Sequence, residues 1–300
     1  MTKLGDEILR FLDESGLECR RGNRKDYGDG LSGGCGIDIL LCTHALNHEQ
    51  MRVISVEVIA SSPAGAMRQR EFLEEAVNKL SQKDGAYPLI VFEDRWRRNS
   101  PLIRQRLLAH LGMFGSIFAR NCQVRRIDKP LAASFLEHAH SYGDASCKYR
   151  YGLFLIRHTG HCRLEVAAES IAPGTLIAVA EFSGARRWKK ENMTISSYEW
   201  TRYASLPWLR ISGGMGKILR HFIEQVQPDD IMSYADLEWS EGLVYEQLGF
   251  SPEDRRKPVL FKVDPKGWQR KVCTDEQKDD SLYIMNLGSR KYRLKLKDYR

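Results

Sequence analysis

Two rhythms of apolar spacing alternate along this chain, and they predict its elements. Leu4, Ile8, Leu9, Phe11 and Leu12 recur among charges at helical spacing, which predicts an amphipathic helix over residues 3–15. Residues 36–42 and 52–59 are short β-branched runs, read as paired strands. The glycine-rich, basic stretch 20–36 before them reads as a loop. A helix is expected over 66–82, then a buried strand over 87–92. Another helix, over 100–112, is entered through Asn99-Ser100-Pro101, a capped start with proline in the first turn. The order of this first series is αββαβα.

A second series begins near Ile117. It offers strand 122–127, helix 130–140, a loop at Tyr142-Gly143-Asp144, and strands 149–157, 175–182 and 197–204. A glycine turn at 213–216 then opens a helix over 214–226, whose Ile218, Leu219, Phe222, Ile223 and Val226 bury one face. Strand 231–235, helix 240–248 and strand 258–263 follow. The polar run 274–281 reads as a linker before an alternating terminal strand, with Tyr292, Leu294 and Leu296 on one face and Arg293, Lys295 and Lys297 on the other. These patterns predict an α/β (α+β) chain of two domains, 1–118 and 119–265, with a basic tail over 266–300.

Composition narrows the class. With 42% hydrophobic and 28% charged residues, the chain is a folded globular protein, not a disordered one. No apolar run reaches the ~20 residues that span a bilayer, and the start, Met1-Thr-Lys-Leu-Gly, has no secretory core. No membrane association and a cytoplasmic location are therefore expected. Seven widely spaced cysteines without a Cys-x-x-Cys pair speak against a disulfide framework or a zinc knuckle. A net charge of +7 suggests a polyanionic partner, although a mild basic bias is also common in proteins that bind none. Residues 251–300 hold 14 Lys/Arg against 8 Asp/Glu, so the terminal strand offers a cationic face for phosphates, or lysines that protect a sheet edge.

Three acids stand out in the first series: Glu7 on the opening helix, Asp38 in the first strand and Glu57 in the second. Carboxylates inside apolar strands are costly unless they bind a metal or find partners. Phosphodiester hydrolysis uses such acids to hold Mg²⁺. The phrases Gly36-Ile-Asp38-Ile-Leu, Ile54-Ser-Val-Glu57 and Tyr87-Pro-Leu-Ile-Val-Phe-Glu-Asp-Arg-Trp96 resemble the restriction-endonuclease-like PD-(D/E)xK fold, in its very-short-patch-repair branch. The resemblance implies an Mg²⁺-dependent DNA endonuclease with Asp38 and Glu57 as metal ligands and Glu7 assisting. Ile59 occupies the position of the usual strand lysine; Lys79 on the next helix could reach back in its place, and Arg68 or Arg70 could contribute charge. A nuclease fold that only binds DNA is the other outcome.

The second series carries Arg210-Ile-Ser-Gly213-Gly214-Met-Gly216-Lys217 and, further on, Tyr245-Glu-Gln-Leu-Gly249-Phe250. Glycines at a helix start leave backbone N–H groups bare for phosphate. With Phe135-Leu-Glu-His138-Ala-His140, Glu199-Trp-Thr-Arg202 and Ser233-Tyr-Ala-Asp236, this set resembles the GNAT acyltransferase fold, in the form carried by phage Mom DNA-modifying proteins and mobile-element endonucleases. The resemblance implies acetyl-CoA or a related acyl-CoA on Gly213, Gly214, Gly216 and Lys217. It makes Tyr245 the general acid for the departing thiolate, Asp236 and Arg202 substrate-orienting, and His138 or His140 a base. Ile211 stands where the usual turn has Gln or Arg, which favours a DNA phosphate at least as much as CoA; Tyr245 and Phe250 also suit a core pair. The cluster Arg186-Arg-Trp188-Lys-Lys190 mixes cations with an aromatic ring, as nucleic-acid contacts do. A phage-type endonuclease is the first reading, a GNAT or Mom-like acyltransferase the second and non-catalytic DNA binding the third.

Overall fold

The computed structural model describes residues 2–23, 35–84, 86–157, 171–191, 193–274 and 280–298. Much of the loop expected over 20–36 and of the linker expected over 274–281 lies outside the described residues. The chain is mixed α/β with several sheets, divided into two compact units. The first comprises residues 1–112, 235–241 and 255–290; the second comprises 113–234, 242–254 and 291–300.

The first unit opens with α1 (Lys3–Glu14), β1 (Cys19–Arg21), β2 (Ile37–Thr43) and β3 (Gln50–Val56). It continues with α2 (Pro63–Asp84), β4 (Leu89–Phe92), α3 (Glu93–Arg98) and α4 (Ser100–His110). The four strands form one sheet in chain order, β1-β2-β3-β4. The β1/β2 and β2/β3 ladders are antiparallel and β3/β4 is parallel. The parallel step is possible because the long helix α2 supplies the crossover. One face of the sheet buries Ile37, Ile39, Ile54, Val56 and Ile90 against Leu73, Val77 and Leu80 of α2. Leu4, Ile8 and Leu12 of α1 are fully buried, as their spacing predicts.

The second unit contains β5 (Gly115–Phe118), β6 (Cys122–Arg126), α5 (Lys129–Ala139), β7 (Tyr149–Leu155), β8 (Leu176–Phe182), β9 (Arg186–Lys190) and β10 (Met193–Ser205). Then come β11 (Leu209–Ser212), α6 (Gly214–Val226), β12 (Asp230–Asp236), α7 (Leu243–Gln247) and β13 (Ser251–Arg256). The main sheet runs β13-β17-β12-β10-β8-β7-β6, where β17 is Ser289–Lys295, and β9 pairs with β10 beside it. Helix α5 covers one face, with Leu136 and Ala139 on Val179 and Ala204. Helix α6 covers the other, where Phe222 stacks on Phe182 at 3.9 Å between ring centroids.

The last stretch of the chain is not a simple tail. Strands β14 (Leu260–Val263), β15 (Arg270–Val272) and β16 (Leu282–Met285) form a separate sheet in the order β15-β14-β16, and Val263 and Ile284 join the core of the first unit. The strand expected over 258–263 therefore belongs to this small sheet. The helix expected over 240–248 shortens to α7, because Gly242, in the left-handed region at φ 91°, starts it late. The strand over 290–297 forms and buries Tyr292, and four of its cations are ion-paired. Lys291 and Arg293 pair with Glu253, Arg293 also pairs with Asp230, Lys297 with Asp229, and Arg290 with Glu241.

Candidate functional site

The three acids of the first unit do not assemble into a metal centre. Asp38 accepts hydrogen bonds from the Thr2 amide at 2.8 Å and the Thr2 hydroxyl at 2.7 Å, and is ion-paired with Arg21. Glu57 accepts the Leu4 amide at 3.0 Å. Thr2 is the N-cap of α1, so both carboxylates sit on the positive end of that helix. Glu7 is held by a bidentate bond from Arg97 at 2.6 and 2.7 Å, which draws its pKa below the usual carboxylate range. The argument that buried strand acids need partners was sound, but the partners are a helix N-terminus and arginines instead of Mg²⁺. Lys79 pairs with Glu75 on the exposed face of α2. Among the described residues, no group of three or more His, Cys, Asp or Glu could hold a metal ion. The Mg²⁺ reading of Asp38 and Glu57 gains no support from this geometry.

In the second unit the two phrases that carry the acyltransferase resemblance do meet. Strands β10 and β12 are parallel, yet they pair only over Ser197–Glu199 and Asp230–Met232. From Trp200 onward β10 turns to β8, with a register shift between Trp200 and Arg202. Ser233 sits where the backbone ladder ends. Its Oγ lies 2.8 Å from the Trp200 carbonyl oxygen and 2.9 Å from the Tyr245 hydroxyl. A carbonyl can only accept, so the single Ser233 proton goes to Trp200 and Ser233 accepts from Tyr245. A chain of oriented bonds, Tyr245 to Ser233 to Trp200, therefore closes the point where the strands part.

The glycine turn lies close to this point. Gly213 is in the left-handed region at φ 76° and caps α6 without any side-chain hydrogen bond, so the first-turn amides keep their donor character. A Cβ at Gly214 would lie 3.0 Å from Ile211 atoms and 3.1 Å from the Tyr203 hydroxyl; one at Gly216 would lie 3.3 Å from Leu248. The glycines thus let the helix start pack on β10 and on the segment that carries Tyr245. Aromatic rings complete the packing. Trp200 contacts Tyr203, Tyr245 and Phe250, and Tyr245 stacks on Tyr292 at 5.3 Å. Tyr245 and Phe250 are also in edge contact, as the core-pair reading expects. Burial raises the Tyr245 pKa, and the bond to Ser233 partly offsets it, so the phenol keeps its proton at neutral pH.

Other expected residues have different work. Lys217 donates to the carbonyls of Ala119 at 2.9 Å and Cys122 at 2.5 Å, which fastens α6 to the start of β6. Arg202 donates to the carbonyls of Gly143 and Thr201 and holds the 142–143 loop. His140 accepts the Tyr142 amide, and a ring nitrogen of His138 lies 2.9 Å from the Ser134 carbonyl, so both serve local turns. Asp236 accepts the Glu238 amide and belongs to the first unit, whereas Tyr245 belongs to the second.

Sequence reasoning missed Glu181. It is fully buried on β8, bonded to Arg150 at 2.9 Å and to the Ala145 amide at 3.1 Å. Its signal was present: an acid in the apolar run Leu176–Phe182, the pattern already noticed at Asp38. Burial and the neighbouring Asp144 raise its pKa to about 7. An acid with a raised folded pKa stabilises most below its unfolded pKa, and that stability drains as pH rises through the folded value. The unfolding free energy is therefore expected to fall between about pH 4.5 and 7, with a slope of up to ~1.4 kcal/mol per pH unit. Urea denaturation across that range checks this; a Glu181→Gln profile as steep as wild type would sink it.

No protein-family model and no curated protein matches the chain. Among solved structures, it is similar to the NatC complex bound to Gag peptide and CoA: 16% identity over 59% of this chain and 99% of that one, TM-score 0.35. It is also similar to a Bacillus subtilis acetyltransferase in complex with CoA, at 13% identity over 58% of this chain and 99% of that one, TM-score 0.34. A third is a KacTA–DNA complex, at 13% identity over 44% and 86%, TM-score 0.28. Any functional assignment therefore rests on the geometry of Tyr245, Ser233 and the turn at Gly213.

Proposed function

We propose that the second unit is an acyl-CoA-dependent N-acyltransferase of the GNAT type. The single observation that carries this reading is the placement of the Tyr245 hydroxyl where parallel β10 and β12 part, beside an uncapped helix start. A diphosphate fits the α6 terminus by its chemistry: bare amides, a helix dipole and glycines that permit close backbone approach. An acyl-CoA bound there supplies an activated acyl group and a sulfur leaving group. Tyr245, protonated at neutral pH, is placed to give that sulfur its proton. Ser233, its own proton held by the Trp200 carbonyl, accepts the phenol O–H and so holds Tyr245 in one rotamer, and that O–H turns from Ser233 to the sulfur when the proton is given.

Calorimetric titration with acetyl-CoA tests the reading. Saturable binding is expected in wild type. Gly214→Val is expected to weaken it at least tenfold, because the new side chain displaces the α6 start from Ile211 and Tyr203. Absence of measurable binding to acetyl-CoA and to longer acyl-CoA esters would remove the proposal.

A further inference from the structure

Lys291, Arg293 and Lys297 of the terminal stretch are matched by acids, whereas Arg186, Arg187 and Lys189 of β9 are not. Strand β9 forms a two-stranded antiparallel ribbon with the first half of β10, from the pair Arg186–Ser197 to the pair Lys190–Met193. Arg186, Arg187, Trp188 and Lys189 are all exposed. Arg186, Arg187 and Lys189 make no ion pair among the described residues. The contrast is informative, because Lys291, Arg293 and Lys297 each find a carboxylate a short distance away in the same unit. Unpaired cations on one short ribbon repel one another, a cost that an anionic partner relieves.

The cations are also ordered by face. Arg187 and Lys189 stand opposite Ser196 and Thr194, which places them on the face that carries Tyr198 two residues further along β10. Tyr198 packs on Phe222 and on Tyr149. The exposed Arg126 and Lys148 lie 5.3 and 5.6 Å from the Tyr149 ring centroid. Lys148 also sits at the base of the ribbon, its amide bonded to the Phe182 carbonyl and its side chain beside Gly184. Arg187, Lys189, Lys148 and Arg126 thus share one face, two on the ribbon and two at its root.

We infer that this face binds duplex DNA, with the β9–β10 ribbon in the major groove and Lys148 and Arg126 on the flanking phosphates. A two-stranded ribbon fits a groove ~12 Å wide, as B-form DNA offers, while the deep, narrow major groove of duplex RNA excludes it. The inference does not rest on the transferase reading, since binding is measured without acyl donor.

Fluorescence anisotropy of the full chain with a labelled mixed-sequence DNA duplex tests it, between ~50 and ~200 mM NaCl. Arg187→Ala/Lys189→Ala is expected to weaken binding at least tenfold at the low-salt end and to reduce the salt slope by about 2. Lys148→Ala/Arg126→Ala is expected to do the same, and Lys297→Ala to stay within twofold of wild type. These positions are exposed, and circular dichroism confirms that each variant folds. The inference is overturned if wild type does not bind the duplex, if the ribbon variant keeps the wild-type slope, if Lys297→Ala loses as much, or if duplex RNA binds more tightly than DNA.

Discussion

Arg270→Ala is expected to lower the stability of the first unit by ~3–5 kcal/mol, read as a shift of the urea midpoint. Arg270 is 6% exposed and serves two carboxylates that are each 1% exposed. It pairs with Asp94 through two nitrogens, one of them at 3.0 Å from Oδ1, and with Glu238 at 2.6 Å. Its guanidinium also lies over Phe92 at 4.9 Å and Phe261 at 5.6 Å. Three distant stretches of sequence, around residues 94, 238 and 270, are therefore tied at one buried point. Alanine leaves two buried carboxylates with Arg95, 3.9 Å from Glu238, as the remaining counter-charge, and that desolvation, more than the lost attraction, sets the size of the effect. Removing all three charges, as in Asp94→Leu/Glu238→Leu/Arg270→Met, is expected to recover much of the loss. A loss below ~1 kcal/mol for Arg270→Ala would mean that water reaches the triad.

Tyr245→Phe is expected to reduce acyl transfer by ~10²–10⁴-fold in kcat while leaving acyl-CoA affinity near that of wild type. The ring survives in this variant, so the stack on Tyr292 and the edge contact with Phe250 remain and stability changes little. Tyr245→Ala removes the ring as well and is expected to cost a further ~3–5 kcal/mol of stability. Because burial holds the Tyr245 pKa above its ordinary value, activity is not expected to fall on the alkaline side before about pH 10. A Tyr245→Phe rate within threefold of wild type would assign the residue to the core alone.

Local patterns were legible where a single element sets them. The spacing of Leu4, Ile8 and Leu12 gave α1, and the β-branched runs gave β2, β3 and β8, because burial on one face fixes each without outside help. The short exposed strands β9 and β13 carry no apolar alternation, so nothing in their residues announced them. The glycine turn and the Tyr-x-x-x-Gly-Phe phrase were visible as separate signals; only the contacts of Gly216 with Leu248 and of Ser233 with Tyr245 made them one site. Asp38 and Glu57 show the converse. Their residue type announced a charged partner, but a carboxylate can be matched equally by Mg²⁺, an arginine or a helix N-terminus.

No helix among the described residues is long and apolar enough to cross a membrane, in keeping with the composition. The sequence by itself determined a mixed α/β chain, the amphipathic helices and the turn that opens α6, because hydrophobic period and glycine backbone freedom are properties of neighbouring residues. Tertiary structure decided which charges remain available. Lys291, Arg293 and Lys297 were matched by Glu253, Asp230 and Asp229, residues remote in the chain, while Arg186, Arg187 and Lys189 were left facing solvent. Charge is written in the sequence, but its neutralisation depends on distances of a few ångströms between segments that only the fold brings together.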